Sequence, residues 1–323
     1  MILVTGGAGY IGSHCVKSLL RRGYDVVVVD NLSTGRQEAV LSKEFVRGAL
    51  CDIRVLERVF SAYPITAVMH FAGLISVGES ISIPDLYYRN NVAATANLLD
   101  AMRAHGVREL IFSSSAAVYG NPARVPIPED APKNPTSVYG RTKWIAEQMM
   151  GDYAAAYGLR YIALRYFNAA GCDPEGQLGE NHNPETHLIP LVLAAALGKV
   201  PSIRVFGSDY PTPDGTCIRD YIHVQDIATA HALALEALAS GHSGGAYNLG
   251  LMSGFSVREV VDVCRKVTGR EIPVVDAARR PGDPAELVAD STLFRSEFGW
   301  TPEITTLEEI VASAWSRVRS DPI

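Results

Sequence analysis

Apolar positions in the first half of the chain fall into short unbroken runs rather than alternating with polar ones. The runs "ILVT", "DVVVVD", "TAVMHF", "ELIFSSS" and "RYIALRYF" are rich in Val, Ile and Leu and have no polar face. Strands of that kind suit a parallel sheet covered by helices on both sides. Between the runs the pattern turns helical, which predicts helices over Ile11–Arg22, Pro84–His105 and Tyr139–Tyr157. This alternation of strand and helix predicts an α/β fold with a doubly wound parallel sheet.

From about Asn168 the texture changes. Pro, Gly, Asp and Asn thicken through "NAAGCDPEGQLGENHNPETH" and "GSDYPTPDGT", with shorter helices between. The expected organisation is a first domain over residues 1–167 and a smaller α/β domain over 168–323. The stretch around 220–250 is expected to pack back on the first domain. No repeat or low-complexity tract is visible.

Composition narrows the functional classes. The 323 residues are 47% apolar, enough for a large core, and carry 29 basic against 35 acidic side chains. With no basic stripe, nucleic acid is not an expected partner. The five cysteines are odd in number, scattered, and lack a CxxC or Cys/His ligand spacing. They read as reduced thiols of a cytoplasmic protein, and no metal site is expected. The chain opens directly into "MILVTGG", which leaves no room for a signal peptide. Its longest apolar stretch, "LIPLVLAAALG", falls short of the roughly 20 residues of a membrane helix.

Two motifs carry chemistry. "VTGGAGYIGSH" joins the first strand to the first helix and places Gly6, Gly9 and Gly12 three residues apart. Glycines there let the backbone turn tightly and approach a pyrophosphate at the helix N-terminus, the signature of a Rossmann-type dinucleotide site. The second strand ends in Asp30, whose carboxylate can take the adenosine ribose hydroxyls and would repel a 2′-phosphate; NAD is favoured over NADP. The second motif is "FSSSAAVYG" followed by "SVYGRTK". Tyr139 and Lys143 share a helix face at i and i+4, and a serine at the carboxyl end of a parallel strand lies where such sheets hold ligands. A cation beside Tyr139 is expected to lower its pKa from about 10 towards neutrality and make the phenolate a usable base.

With those residues in place, the chain resembles the extended short-chain dehydrogenase/reductase family and, within it, the UDP-glucose (UDP-galactose) 4-epimerases. The resemblance spans essentially the whole chain, through "TGGAGYIGSH", "VDNLSTG", "HFAGLISVGES", "NNVAATANLL", "FSSSAAVYG", "YGRTK", "RYFNAAG", "FGSDYPTPDGTCIRDYIHV" and "RRPGDPAELVAD". It implies that Tyr139 takes the proton of the sugar 4-hydroxyl while NAD takes the C4 hydride, that Lys143 holds the nicotinamide ribose, and that Ser115 bonds the same sugar oxygen. The 4-keto sugar then turns over and receives the hydride on its other face.

The same resemblance implies further contacts. For the cofactor these are Gly6, Gly9, Tyr10, Ile11 and Gly12 of the loop, Asp30 and Asn31 after the second strand, and Asp52 and Ile53 at the adenine. Phe71, Ala72 and Gly73 fall on the pyrophosphate side, and Asn90, Ser113 and Tyr166 near the nicotinamide. For the substrate, Arg219 and Arg280 would clamp the diphosphate, Asp283 the uridine ribose and Phe206 the uracil. Phe167, Asn168, His187, Leu188, Tyr221 and Leu287 complete the pocket. A homodimer through helices Pro84–His105 and Arg141–Tyr157 is also implied.

Three departures stand out: Ile75 where many epimerases have Lys, Ala117 where a Thr is common, and His187 where others have Asn. Leu287 stands where glucose-restricted relatives carry Tyr, which leaves volume for an N-acetyl group on C2. The alternatives are a 4-epimerase of a UDP-pentose or UDP-glucuronate, or a catalytically silent NAD-sensing protein. A dehydratase would need an acid/base pair after Ser115, where this chain has Ala116 and Ala117.

Overall fold

The computed structural model describes residues 1–280 and 283–320. Pro281 and Gly282 of the "RRPGD" motif, and the last three positions assigned to the second domain, lie outside the described residues. Six strands alternate with helices in the first half: β1 (Ile2–Thr5), β2 (Val26–Asp30), β3 (Glu44–Arg47), β4 (Ala67–His70), β5 (Glu109–Ser113) and β6 (Arg160–Arg165). The second half adds β7 (Asn168–Ala170), β8 (Ile203–Phe206), β9 (Ile218–Arg219), β10 (Tyr221–His223), β11 (Gly245–Asn248), β12 (Phe255–Ser256), β13 (Val274–Ala277) and β14 (Glu286–Leu287).

Seven of these form one parallel sheet in the order β11-β6-β5-β4-β1-β2-β3, the doubly wound arrangement that the strand runs predict. Ile2 of β1 lies opposite Val26 of β2 on one side and Ala67 of β4 on the other. The chain winds outward in opposite directions from β1 and β4, so a crevice opens beyond their carboxyl ends, where open α/β sheets bind ligands.

Alternate residues of each strand feed two cores. Leu3, Val27, Val68 and Leu110 meet Leu56, Val59, Leu98, Met102 and Met150 from helices Ile53–Ala62, Ala94–Ala104 and Val138–Tyr157. Ile2, Val4, Val28 and Ile111 meet Val16 and Leu19 of helix Tyr10–Arg21 and Ile227, Ala234 and Leu235 of helix Val224–Ala239. A third core, with Val192, Leu193, Val205, Val260 and Val311, holds helices Leu188–Ala196, Val257–Thr268 and Leu307–Ser320 together.

The sheet edges and one helix differ from the sequence pattern. β3 and β11 are edge strands whose "EFVR" and "GAYN" contain no apolar run; helix Ile53–Ala62 adds to the expected helices, and its buried Val55, Leu56, Val59 and Phe60 do keep helical spacing. The helix expected over Pro84–His105 comprises Pro84–Tyr87, a π-helical stretch Tyr88–Ala93, and Ala94–Ala104. That stretch carries Asn91, whose amide donates to Leu74 O at 2.9 Å and to Thr142 Oγ1 at 3.2 Å and accepts from Leu74 N at 2.8 Å. Inserting an extra residue into a helix turn re-aims its side chains, and such π segments gather at functional sites.

Candidate active site

The glycine loop closes the crevice at the end of β1. Gly6 has φ +73°, and a Cβ there would stand 2.5 Å from Ala72 N; a Cβ on Gly12 would fall on the Gly6 carbonyl oxygen. Phe71 N and Ala72 N both donate to Thr5 O, at 2.9 and 3.1 Å. Two backbone stretches thus approach as closely as main chain allows. Gly9 caps helix Tyr10–Arg21 with no side chain, and the first N–H groups of a helix lack intrahelical partners. This cradle fits the diphosphate of a dinucleotide.

Asp30, buried at the end of β2, accepts Ala8 N at 3.0 Å and Leu32 N at 2.8 Å, so it also fastens the loop. An ionised carboxylate offers about four acceptor sites, which leaves capacity for ribose hydroxyls. Asn31 is exposed and accepts Ser33 N at 2.9 Å. Asp52 caps helix Ile53–Ala62 by accepting Arg54 N and also binds the Arg54 guanidinium; Ile53 beside it is exposed. Tyr10 donates its hydroxyl to Gly171 O at 2.6 Å, and Ile11 packs on the core under the loop.

Beyond β5 the chain gathers Ser113, Ser115, Tyr139 and Lys143. Ser137 caps helix Val138–Tyr157 by accepting Gly140 N at 3.0 Å, which fixes Tyr139 in the first turn. Ser80 accepts Tyr139 N at 3.1 Å. Lys143 is 4% exposed. Its Nζ donates to Ser113 O at 2.7 Å and lies 4.8 Å from the Phe112 ring centre and 6.0 Å from that of Tyr139. Burial pushes Lys143 down to about 8 against the opposing pull of the Glu147 carboxylate.

Burial raises the Tyr139 phenol, and a hydrogen bond with Ser115 pulls it back only in part. This differs from the sequence expectation of a phenol already near neutrality. At 6.0 Å, with the ammonium also bonded to Ser113 O, Lys143 does not overcome the cost of ionising a dry phenol.

Other predicted groups surround this pair. Ser113 Oγ and Tyr166 OH are 2.5 Å apart. A Cβ on Gly73 would stand 3.3 Å from Asn91 Oδ1 and 3.8 Å from Lys143 Nζ, so Gly73 borders the catalytic ammonium. Asn90 is half-buried and only 3.5 Å from Asn91 Oδ1, while Asn91, passed over in the sequence, makes the fixed contacts. Behind Ser115 lies a buried network that no local motif announces. Glu147 accepts Arg165 Nε at 2.9 Å and Ser114 Oγ at 2.5 Å, and Arg165 Nη1 donates to Tyr119 OH at 2.8 Å. The only available signal was the i, i+4, i+8 spacing of Tyr139, Lys143 and Glu147.

Among the substrate candidates, Arg219 donates to Asp283 Oδ1 at 2.5 Å and Pro284 O at 2.9 Å rather than pairing with its neighbour Asp220. The Asp220 carboxylate is buried and accepts Leu251 N and Ala289 N. The Arg280 guanidinium sits 4.1 Å over the Phe206 ring. Asn168 donates Nδ2 to Asp220 O at 3.1 Å. Phe167 and Leu287 each pack against the cluster of Ala116, Val118, Tyr119 and Ile127, which follows Ser115. Tyr221 and Leu188 instead join the third core, and Tyr221 is only 5% exposed. His187 Nδ1 lies 2.8 Å from Glu180 Oε1 and 2.9 Å from Glu185 Oε1, so that ring nitrogen is already engaged.

A dinucleotide cradle whose switch point holds a Tyr–Lys pair and a strand-end serine defines an NAD-dependent enzyme that works at a carbinol carbon. The chain belongs to the NAD dependent epimerase/dehydratase family, whose model matches residues 2–250. It is 50% identical over 321 residues to the UDP-glucose 4-epimerase of Halalkalibacterium halodurans, covering 99% of this chain and 96% of that protein. The crystal structure of UDP-glucose 4-epimerase from Brucella ovis in complex with NAD superposes with a TM-score of 0.95 at 52% identity, over 98% of this chain and 97% of that one. The UDP-Glc/GlcNAc 4-epimerase of Campylobacter jejuni superposes with a TM-score of 0.87 at 38% identity, over 99% of both. No helix among the described residues is long and apolar enough to cross a membrane.

Proposed function

We propose that this chain interconverts UDP-galactose and UDP-glucose by NAD-dependent inversion at C4 through a transient 4-keto sugar. The observation that carries this reading is the convergence of Tyr139, Lys143 and Ser115 beyond β5, with alanines at 116 and 117 where elimination chemistry would need acid and base. The cradle of Gly6, Gly9 and Gly12 takes the pyrophosphate, Asp30 the adenosine ribose, and Lys143 the nicotinamide ribose through donors not spent on Ser113 O. When bound, NAD would supply a hydride acceptor and donor for C4 and a positive charge near Tyr139, which the protein alone does not provide.

Tyr139 removes the proton of the 4-hydroxyl and gives it back. Ser115 holds that oxygen and narrows the proton's path. Arg219 and Arg280 grip the diphosphate, since guanidinium pairs bidentately with phosphate oxygens, and leave the sugar free to rotate. Asp283 takes the uridine ribose and Phe206 the base. Leu287 is only part-buried against the Ala116–Ile127 cluster, and its side chain, smaller than Tyr, supports acceptance of UDP-N-acetylhexosamines as well. Five free cysteines, four of them buried, support a reducing cytoplasmic setting. Exposed Val77, Ile81, Ile83 and Leu86 beside the Pro84 helix, with Tyr157, support a homodimer.

The test is conversion of UDP-galactose to UDP-glucose by the untagged protein with saturating NAD. Turnover is expected, and Tyr139→Phe should lower it by at least about 100-fold, the usual scale of a general base. NAD binding without any interconversion would sink the enzymatic reading in favour of a cofactor-sensing protein.

A further inference from the structure

The segment "ENHNPETH" brings two imidazoles and two carboxylates to one point. One ligand atom from each of Glu180, His182, Glu185 and His187 lies within 4.8 Å of all the others. Both histidines present Nδ1. His182 Nδ1 is 3.2 Å from Glu180 Oε1 and 3.7 Å from Glu185 Oε2, while His187 Nδ1 is 2.8 and 2.9 Å from Glu180 Oε1 and Glu185 Oε1. A tetrahedral zinc with bonds of about 2.0–2.1 Å has ligand edges of roughly 3.3–3.4 Å, and the four observed separations bracket that value.

The His182 Nδ1 atom is buried and faces both carboxylates, at 3.2 Å from Glu180 and 3.7 Å from Glu185. A cation at the centre of the group would take this nitrogen as a ligand together with the two carboxylates. Charge agrees: two carboxylates and two neutral imidazoles carry the two negative charges that a divalent cation balances. The two rings stand with centres 5.0 Å apart, close enough to present a nitrogen each to one ion. Glu180 is almost wholly covered, whereas His187 is 40% exposed and gives a way in.

We infer that Glu180, His182, Glu185 and His187 form a divalent-cation site of the zinc class that staples this segment across the cofactor loop. The segment already lies there: Tyr10 bonds Gly171 O, Lys17 pairs with Asp173 at 2.5 Å, Arg36 donates to Asn181 Oδ1 at 2.9 Å, and the His182 ring meets Tyr10 edge-on at 6.4 Å. The ion is structural, so the site stands or falls independently of the proposed epimerisation.

Untagged full-length protein, stripped with a chelator and dialysed, is titrated with Zn2+ alone by calorimetry and with Co2+ alone by visible absorbance. One ion per chain is expected, with the intense d–d bands of four-coordinate Co2+. His182→Ala should weaken Zn2+ by at least about 100-fold, the upper end of what losing a mere outer-sphere partner does. Glu185→Gln, which keeps the side-chain shape, gives the same loss and serves if His182→Ala does not fold. No saturable uptake by the parent protein, or uptake unchanged in the variant, overturns the site and leaves a self-contained imidazolium–carboxylate network.

Discussion

Replacing Lys143 with methionine separates what the buried ammonium does for chemistry from what it does to the fold. The ammonium sits 6.0 Å from the Tyr139 ring centre. At that separation and an effective dielectric constant of about 20, it stabilises a phenolate by about 2.8 kcal/mol, or roughly 2 pKa units. Lys143→Met should therefore lower turnover about 100-fold at neutral pH, in proportion to the lost phenolate.

The fold responds in the opposite direction. Burial holds Lys143 at about 8 against an ordinary 10.5, so the charged form at pH 7 costs about 3 kcal/mol. Losing the hydrogen bond to Ser113 O offsets about 1 kcal/mol of that relief. The variant should thus be about 2 kcal/mol more stable at pH 7. The sign follows from proton counting: between pH 8 and 10.5 the unfolded chain binds the proton that the folded chain has released. Parent stability therefore rises with pH across that window, and the variant loses the rise.

Urea unfolding at pH 7 and 10 reads the second effect. A pH profile of turnover with saturating NAD, and cofactor content checked by absorbance, reads the first. The variant's rate should climb about tenfold per pH unit above 8 as alkali replaces the missing cation. A variant that is less stable at pH 7, or whose lost rate does not return with alkali, refutes the reasoning.

Glu147→Gln should destabilise the fold by about 3–5 kcal/mol in urea unfolding, because it leaves the Arg165 guanidinium buried without its carboxylate. It should also depress Lys143 further, since Glu147 is the group that opposes its loss of charge, and narrow the alkaline side of the activity profile. Leu287→Tyr should abolish turnover of UDP-N-acetylglucosamine and spare UDP-glucose, in parallel assays of both sugars. Equal losses on both would show that Leu287 does not border the C2 substituent.

The parts legible in the sequence are those whose physics is local. Five strands of the main sheet show as unbroken apolar runs because both of their faces are covered, and Gly6, Gly9 and Gly12 show because a turn and a close backbone approach leave no room for Cβ. β3 and β11 do not show, since an edge strand with one open side needs no apolar run. Asn91 stayed hidden because its importance comes from Leu74 and Thr142, which the fold brings to it from separate segments. The Glu–His segment is inconspicuous in the sequence for another reason. It contains no cysteine, and "ENHNPETH" spreads two Glu and two His over eight residues without a familiar ligand spacing.

The Arg219–Asp283 pair joins these two kinds of knowledge. Each residue reads singly as a substrate contact, yet in the structure each holds the other across 64 positions of sequence. Arg219 and Asp283 side chains are 12% and 25% exposed, so an unpaired guanidinium there would carry a desolvation cost. On the proposed function, an arriving diphosphate replaces the carboxylate at Arg219 and frees Asp283 for the uridine ribose. Arg219 then exchanges one anionic partner for another rather than being left unpaired, and Arg280 supplies the second positive charge that the two phosphates need. Affinity comes from the difference between two similar ion pairs, which keeps product release from becoming as slow as a fully unpaired arginine would make it. Such an exchange needs both residues within reach of each other, which sequence spacing alone could never show.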